Sequence, residues 1–325
     1  MRSQKDKYIQ LCKAEDSIPI FSQPFWLNAV CGEKNWDVIL YEKGDKVMAS
    51  LPYYIKKIYG ISYVTQPRFT QILGPWIKYP DNIKLENKLS LEKEVMYALI
   101  DQLEKFPICF FQQNFSYKIT NWLPFYWRKY KQTTGYTYRI KDISKIDDVL
   151  NNFHYSKQKN IKQAQKLNLI IGFDLTSREF YDNHCLTLKK KGKIISYSYN
   201  LFEKMYNTVY ANNSGRVIYI KDKEENLHSA HFVIWDINSA YDLISTIDPD
   251  YMNCRSSTLL LLEIIRYLSD KTKSFDFEGS MIEAVENSFK KFGTIQTPYF
   301  IIWKTYTKNP LLKLLINSKL SKIQR

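Results

Sequence analysis

Among 325 residues there are only four histidines, five cysteines and ten glycines, and the 33 acidic residues fall well short of the 47 Lys and Arg. Each shortage closes off some chemistry. Cys12, Cys31, Cys109, Cys185 and Cys254 are scattered and odd in number, with no CxxC among them. That excludes a disulfide framework and a zinc ribbon, and it fits a reducing compartment, so a cytoplasmic location is expected. His228 and His231 are three apart within a strand-like run, where they would point to opposite faces, and no metal site is expected. His154 and His184 have no local acid-nucleophile partner. Walker, Rossmann and G-x-S-x-G motifs are all missing, which leaves kinase, dehydrogenase and hydrolase readings without support. The most apolar run, Leu259 to Ile265, is short and contains Glu263, so no transmembrane segment is expected. The opening Met-Arg-Ser-Gln-Lys-Asp-Lys has no apolar run behind it to serve as a secretory signal.

What the chain does contain is an ordinary globular composition, 45% hydrophobic and 25% charged, long enough for two domains with their own cores. A formal net charge of +14 predicts attraction to anions: RNA, nucleotide-linked substrates, coenzyme phosphates or an acidic membrane surface. Lys, Asn, Ile and Tyr are abundant together, as codon bias alone produces, so the 25 tyrosines say little about base stacking.

In chain order, Pro24 to Gly32 reads as a short helix, and Trp36 to Tyr41 with Val47 to Tyr53 as a hairpin. Ile61 to Val64 is a strand leading into a loop, residues 65–76, that gathers Arg68, Gly74, Pro75 and Trp76. Loops of that composition line ligand sites or act as constrained connectors, and residues alone leave both readings open. An amphipathic helix spans Leu85 to Leu103, followed by a strand at Ile108 to Phe111, an aromatic stretch from Trp122 to Tyr130 and a strand at Tyr136 to Ile140. Residues 146–168 read as one helix carrying Lys157, Lys159, Lys162 and Lys166, either a solvated face or a phosphate-facing one. Helices at Thr176 to Lys190 and Ser198 to Tyr210 precede strands at Arg216 to Ile220, His228 to Trp235 and Ala240 to Thr246, then a helix from Ser257 to Leu268. Both halves thus run from antiparallel strands into helix, strand, helix, strand, the order a duplicated domain gives. Domains are expected at 1–145 and 146–309, with a basic amphipathic helix over 310–325 that suits a membrane surface or a neighbouring protein face.

The stretch 274–303 concentrates local signals. Phe275 and Phe277 alternate with Asp276 and Glu278, placing two carboxylates on one strand face before Gly279. Ser280 and Glu283 form a capping-box pattern for a helix whose apolar stripe is Ile282, Val285, Phe289 and Phe292, with Lys290 and Lys291 in its last turn and Gly293 as its left-handed cap. Tyr299 to Trp303 reads as a central strand.

Asp276-Phe277-Glu278-Gly279-Ser280 followed by Phe289-Lys290-Lys291-Phe292-Gly293 resembles the C-terminal signature of the Fem-like branch of the GNAT acyltransferases. Gly74-Pro75 and the segment Asn160 to Ala164 also resemble features of that branch. The resemblance implies an α+β chain of two tandem GNAT-like domains, each a mixed, mostly antiparallel sheet flanked by helices. It implies an N-acyltransferase joining an acyl or aminoacyl group, from acyl-CoA or aminoacyl-tRNA, to an amine on a sugar, peptide or cell-envelope precursor. In those terms Asp276 or Glu278 is the base and Tyr299 an acid or oxyanion donor, although Tyr299 also fits as a plain core residue. Arg255, Ser256 and Ser257 stand where GNAT proteins present helix N–H groups to a pyrophosphate. Arg68, Trp76, Lys157 and Lys162 are candidates for an anionic or nucleotide-linked acceptor, with tRNA as a further partner. One departure matters: the superfamily's glycine-rich pyrophosphate loop is absent, with no glycine from Asp250 to Leu268. That favours an aminoacyl-tRNA donor, and it equally admits a non-catalytic RNA- or nucleotide-binding protein with a degenerate GNAT fold.

Overall fold

A computed structural model describes residues 3–279, 281–310 and 313. The chain divides into two compact units, Met1–Gly135 with Pro298–Arg325, and Tyr136–Thr297. A cut at 145/146 would therefore leave 136–145 with the first half and 298–309 with the second. Of the expected C-terminal amphipathic helix, 311–312 and 314–325 lie outside the described residues.

The first unit opens with helix α1 (Gln4–Ala14), which the sequence reading passed over; a Ser3/Asp6 capping box starts it, and Tyr8 ties it down by donating from its buried hydroxyl to the Ser22 carbonyl at 2.7 Å. Helix α2 (Pro24–Cys31) ends at Gly32. Strands β1 (Trp36–Lys43), β2 (Lys46–Ile58) and β3 (Ile61–Thr65) form an antiparallel meander, with the two-residue β4 (Trp76–Ile77) paired onto β2. Helix α3 (Leu85–Leu103) buries Val95, Met96, Leu99, Ile100 and Leu103, a stripe at three- and four-residue spacing, in a core shared with Leu51, Val64, Phe111 and Ile302. Strand β5 (Phe110–Asn114) then runs parallel to β3. After the short α4 (Leu123–Trp127), the unit is completed by a distant piece of chain: β12 (Ile295–Thr305) lies antiparallel to β5 from Ile301 to Thr305.

The second unit repeats this plan. Its strands are β6 (Lys131–Ile140, from Tyr136 on), β7 (Ile170–Phe173), β8 (Gly215–Lys221), β9 (Leu227–Trp235), β10 (Ala240–Ile247) and β11 (Phe275–Asp276). They pair in the order β7-β8-β9-β10-β11-β6, and only β10 with β11 is parallel. In both units, then, three antiparallel strands lead through a helix into a strand parallel to the third, and a strand from elsewhere in the sequence closes the far side. In this unit the closing strand is β6, contributed by chain that precedes the unit's own meander. The helices are α5 (Ile146–Asn152), α6 (Tyr155–Ala164), α7 (Ser177–Lys190), α8 (Tyr199–Ala211), α9 (Ser256–Leu268) and α10 (Glu283–Phe289). Helix α9 is buried along most of its length, with Leu260, Ile264, Ile265 and Leu268 fully enclosed among Ile218, Val233, Phe275 and Phe292.

Two expected elements take another form. Residues 146–168 are not one helix: Phe153 turns extended to bury its ring against Phe292 at 5.1 Å, and His154 caps a new helix by accepting from the Ser156 N–H. Left-handed Asn168 then frees 170–173 to pair with β8. Helix α10 starts only at Glu283, with Ile282 exposed as its N-cap residue and no side-chain cap; Ser280 lies outside the described residues.

Candidate active site

The parallel pairing of β10 and β11 covers only Ala240 opposite Phe275 and Tyr241 opposite Asp276. Beyond it both strands change course. On β10 a bulge separates Asp242 from Ile244, and after β11 the chain passes through two consecutive left-handed residues, Glu278 (φ 58°) and Gly279 (φ 60°). The ladder therefore ends on both strands at one level, next to Asp242 and Glu278.

Asp276 is fully buried, and its contacts are those of a structural anchor. Its Oδ1 accepts from the Thr137 hydroxyl and, at 2.8 Å, from the Glu278 N–H; its Oδ2 is 3.7 Å from Arg139 Nε. The Glu278 bond holds that residue in a backbone conformation that costs a side-chain-bearing residue roughly 1–2 kcal/mol. Gly279 meets a sharper constraint, because a Cβ there would lie 2.2 Å from the Tyr136 carbonyl oxygen and 2.8 Å from Thr137 Cα. Both obstacles are backbone and cannot swing aside. Gly279→Ala is expected to lower stability by roughly 1–3 kcal/mol, visible as a lower urea midpoint at unchanged slope.

Glu278 is different in kind. Its side chain is half-buried, with Oε1 enclosed and lacking a hydrogen-bond partner. Burial pushes its pKa well above the usual carboxylate range, and the negative charges of Asp276 and Asp242 push it further the same way. Asp242 in turn accepts from His231 Nδ1 at 2.8 Å, and the enclosed Nε2 of that imidazole has no partner. This Asp242–His231 pair was not anticipated from the sequence. The signal was present: with Trp235 opposite Ala240, Asp242 faces Val233, and His231 is then its diagonal neighbour on the same sheet face.

A second feature of the same unit sits at the start of α9. Arg255 is exposed, in the left-handed conformation, and caps the helix with no side-chain acceptor for the first N–H groups. On α6, half-buried Lys157 lies 4.1 Å over the Phe292 ring with its ammonium 3.1 Å from the Ser288 hydroxyl. Burial lowers its pKa to about 8, assisted by the positive charges of Lys291 and Arg255. Three cations thus converge without a carboxylate acting on Lys157. Of the other residues expected to meet phosphate, Ser257 is half-buried and Ser256 is almost fully enclosed. Lys162 is exposed about 140° around α6 from Lys157 and lies outside this group.

The remaining candidates belong to the first unit. Trp76, with Gly74 and Pro75, lines a cleft of about 460 Å³ whose wall includes Ser17, Lys78, Tyr79 and Lys118. The Trp76 indole donates to the Ser17 hydroxyl at 2.9 Å. Gly74 is required there, since at φ 87° a Cβ would lie 2.4 Å from the Phe115 ring. Arg68 is exposed and is not part of the cleft wall. Tyr299 lies with its ring over Gly135, where a Cβ would come within 2.4 Å of it.

No family model matches the sequence, and no curated protein matches it. Solved structures do. The crystal structure of FemX aligns over 97% of this chain and 99% of its own, with a TM-score of 0.71 at 12% identity. The chain has a FemX-like fold. Further likenesses are to the C-terminal domain of a putative lysylphosphatidylglycerol synthetase from Agrobacterium fabrum and to a conserved protein of unknown function from Bacteroides thetaiotaomicron. The first has a TM-score of 0.52 at 10% identity, covering 90% of each chain. The second has a TM-score of 0.54 at 9% identity, covering 91% of this chain and 97% of the other. At such identities the likeness is one of fold, and it bears out the Fem-like fold and the mixed, mostly antiparallel architecture read from the sequence. Among the described residues no group of His, Cys, Asp or Glu is arranged to hold a metal ion, and no helix is long and apolar enough to cross a membrane.

Proposed function

We propose that the protein is an N-acyltransferase taking an acyl or aminoacyl group from a phosphate-bearing carrier, acyl-CoA or aminoacyl-tRNA, to an amine on a sugar, peptide or cell-envelope precursor. The observation that carries this reading is the conjunction of Glu278, with its unpartnered Oε1 and raised pKa, and the Asp242–His231 pair at the end of the β10–β11 ladder. Aminolysis of an ester or thioester needs a base for the attacking amine and an acid for the departing oxygen or sulfur. With Nδ1 bonded to Asp242, His231 offers Nε2 as the atom that takes the amine proton as nitrogen bonds to the carbonyl carbon. Glu278, whose pKa burial and the neighbouring Asp276 and Asp242 charges raise, is the group that donates to the leaving group as the carbon–oxygen or carbon–sulfur bond breaks. Asp276 is a positioning residue that fixes Glu278. Arg255, Lys157 and Lys291, with the uncapped start of α9, meet the phosphates of the donor.

An anion beside Lys157 favours its charged form, so donor binding takes up a proton and affinity falls as pH rises through about 8. Titrating the protein with coenzyme A and with charged tRNA between neutral and alkaline pH is expected to show this loss, and Lys157→Gln to bind more weakly with a flatter profile. The test of the function itself is turnover of either donor with amine acceptors, compared between wild type and His231→Gln. Loss of turnover at retained donor affinity supports the reading. Salt-sensitive RNA binding with neither donor consumed would identify a non-catalytic RNA-binding protein instead.

A further inference from the structure

The turn between α7 and α8 places four lysines within five residues, Lys189-Lys190-Lys191-Gly192-Lys193, immediately before Ile194-Ile195. Its shape is set by its own backbone. The Lys191 and Lys193 N–H groups both donate to the Leu188 carbonyl, at 3.0 and 2.9 Å, and the Gly192 N–H donates to the Lys189 carbonyl at 3.0 Å, with Gly192 left-handed at φ 67°. Lys190 is held by Asp248 and Asp250, so its charge is already matched. Lys189, Lys191 and Lys193 are exposed and carry no such ion pair.

Ile194 is 92% exposed at the tip, and Leu186, one turn before Lys189, is 49% exposed. Ile194 buries almost none of its surface in the fold. Aliphatic side chains held out among cations are poorly suited to nucleic acid, which rewards aromatic platforms. The two aromatic residues that follow are already engaged: the Tyr197 hydroxyl is 2.7 Å from His184 Nδ1 with its ring stacked 6.0 Å from Phe202, and the Tyr199 hydroxyl donates to Glu203 at 2.7 Å with Arg178 over its ring. Ammonium groups around a protruding branched aliphatic are what the edge of an acidic bilayer accepts, the stem entering the headgroup region and the charges meeting lipid phosphate. We propose that the α7–α8 turn is a docking surface for an anionic membrane, with Ile194 inserted and Lys189, Lys191 and Lys193 on the lipid phosphates. The proposal stands independently of the catalytic reading.

Flotation of the full chain with vesicles of phosphatidylcholine alone, or mixed with phosphatidylglycerol, tests it. Binding is expected only with phosphatidylglycerol present and is expected to weaken with added salt. Each lysine at such a surface is worth about fivefold, so Lys189→Gln with Lys193→Gln should weaken binding by about 25-fold. Ile194→Asn should weaken it by about tenfold. All three side chains are exposed, and the melting temperature should not move. The proposal is overturned if wild type fails to bind phosphatidylglycerol vesicles, or if the variants bind as tightly as wild type, which would put the contact elsewhere in the chain. It is equally overturned if the lysine variant loses affinity for polyuridylate while Ile194→Asn leaves vesicle binding unchanged, which would make the turn a nucleic-acid contact.

Discussion

Glu278→Gln is expected to abolish most turnover, by about 10²–10⁴-fold, while leaving the protein as stable as wild type or more so. Glutamine resembles the protonated acid in size and hydrogen bonding, but it cannot give up a proton. The stability part has a definite sign. Because the folded protein holds the Glu278 proton more tightly than the unfolded chain does, the folded state loses ground as pH rises above the ordinary glutamate value. The variant escapes that loss, so its advantage in thermal unfolding should grow from acidic towards alkaline pH. Asp276→Ala should do the reverse of a catalytic change. It strips the buried Thr137 hydroxyl, the Arg139 guanidinium and the Glu278 N–H of their shared acceptor, at a cost of about 3–5 kcal/mol and at every pH where the carboxylate is ionised. Equal stability losses for the two variants would show that the neighbouring acids share one role.

Residues 136–297 expressed alone are expected to fold cooperatively, and residues 146–309 are not. The two pieces are nearly the same length and share their main core. They differ in β6, without which the two-residue β11 keeps only its parallel partner β10, and Asp276 faces the vacated positions of Thr137 and Arg139. Losses of that size compete with the whole stability of an ordinary domain, about 5–15 kcal/mol. Circular dichroism melts distinguish the outcomes. A sharp transition for 146–309 would show that β6 is dispensable.

Much of the architecture was legible because it rests on local pattern. Helix α3 was placed to the residue, since its apolar stripe is long and regular, and Gly293 was read as a left-handed cap, which it is at φ 65°. The β8, β9 and β10 strands were placed to within about a residue by their alternation and turns. Legibility failed where a distant partner decides. Nothing near Phe153 announces that its ring belongs against Phe292, so the helix break there was invisible, as was the strand at 170–173 that follows. The acids of the 274–303 stretch were found, but Asp276 and Glu278 could not be told apart. Their difference lies in Thr137 and Arg139, more than a hundred residues away in sequence, and in Asp242. His231 was judged only as a metal ligand with His228, although the hairpin that sets Trp235 opposite Ala240 already brings Asp242 to its diagonal.

The borrowed closing strands also set an order of events at the ribosome. By the time Thr297 has been joined, every strand of the second unit has been synthesised, whereas β5 in the first still has an open edge. That edge must wait, bare, through the translation of an entire neighbouring fold before β12 arrives to cover it. A stalled or shortened message would thus yield a finished second unit attached to a first one whose unsatisfied strand is free to pair with the wrong chain.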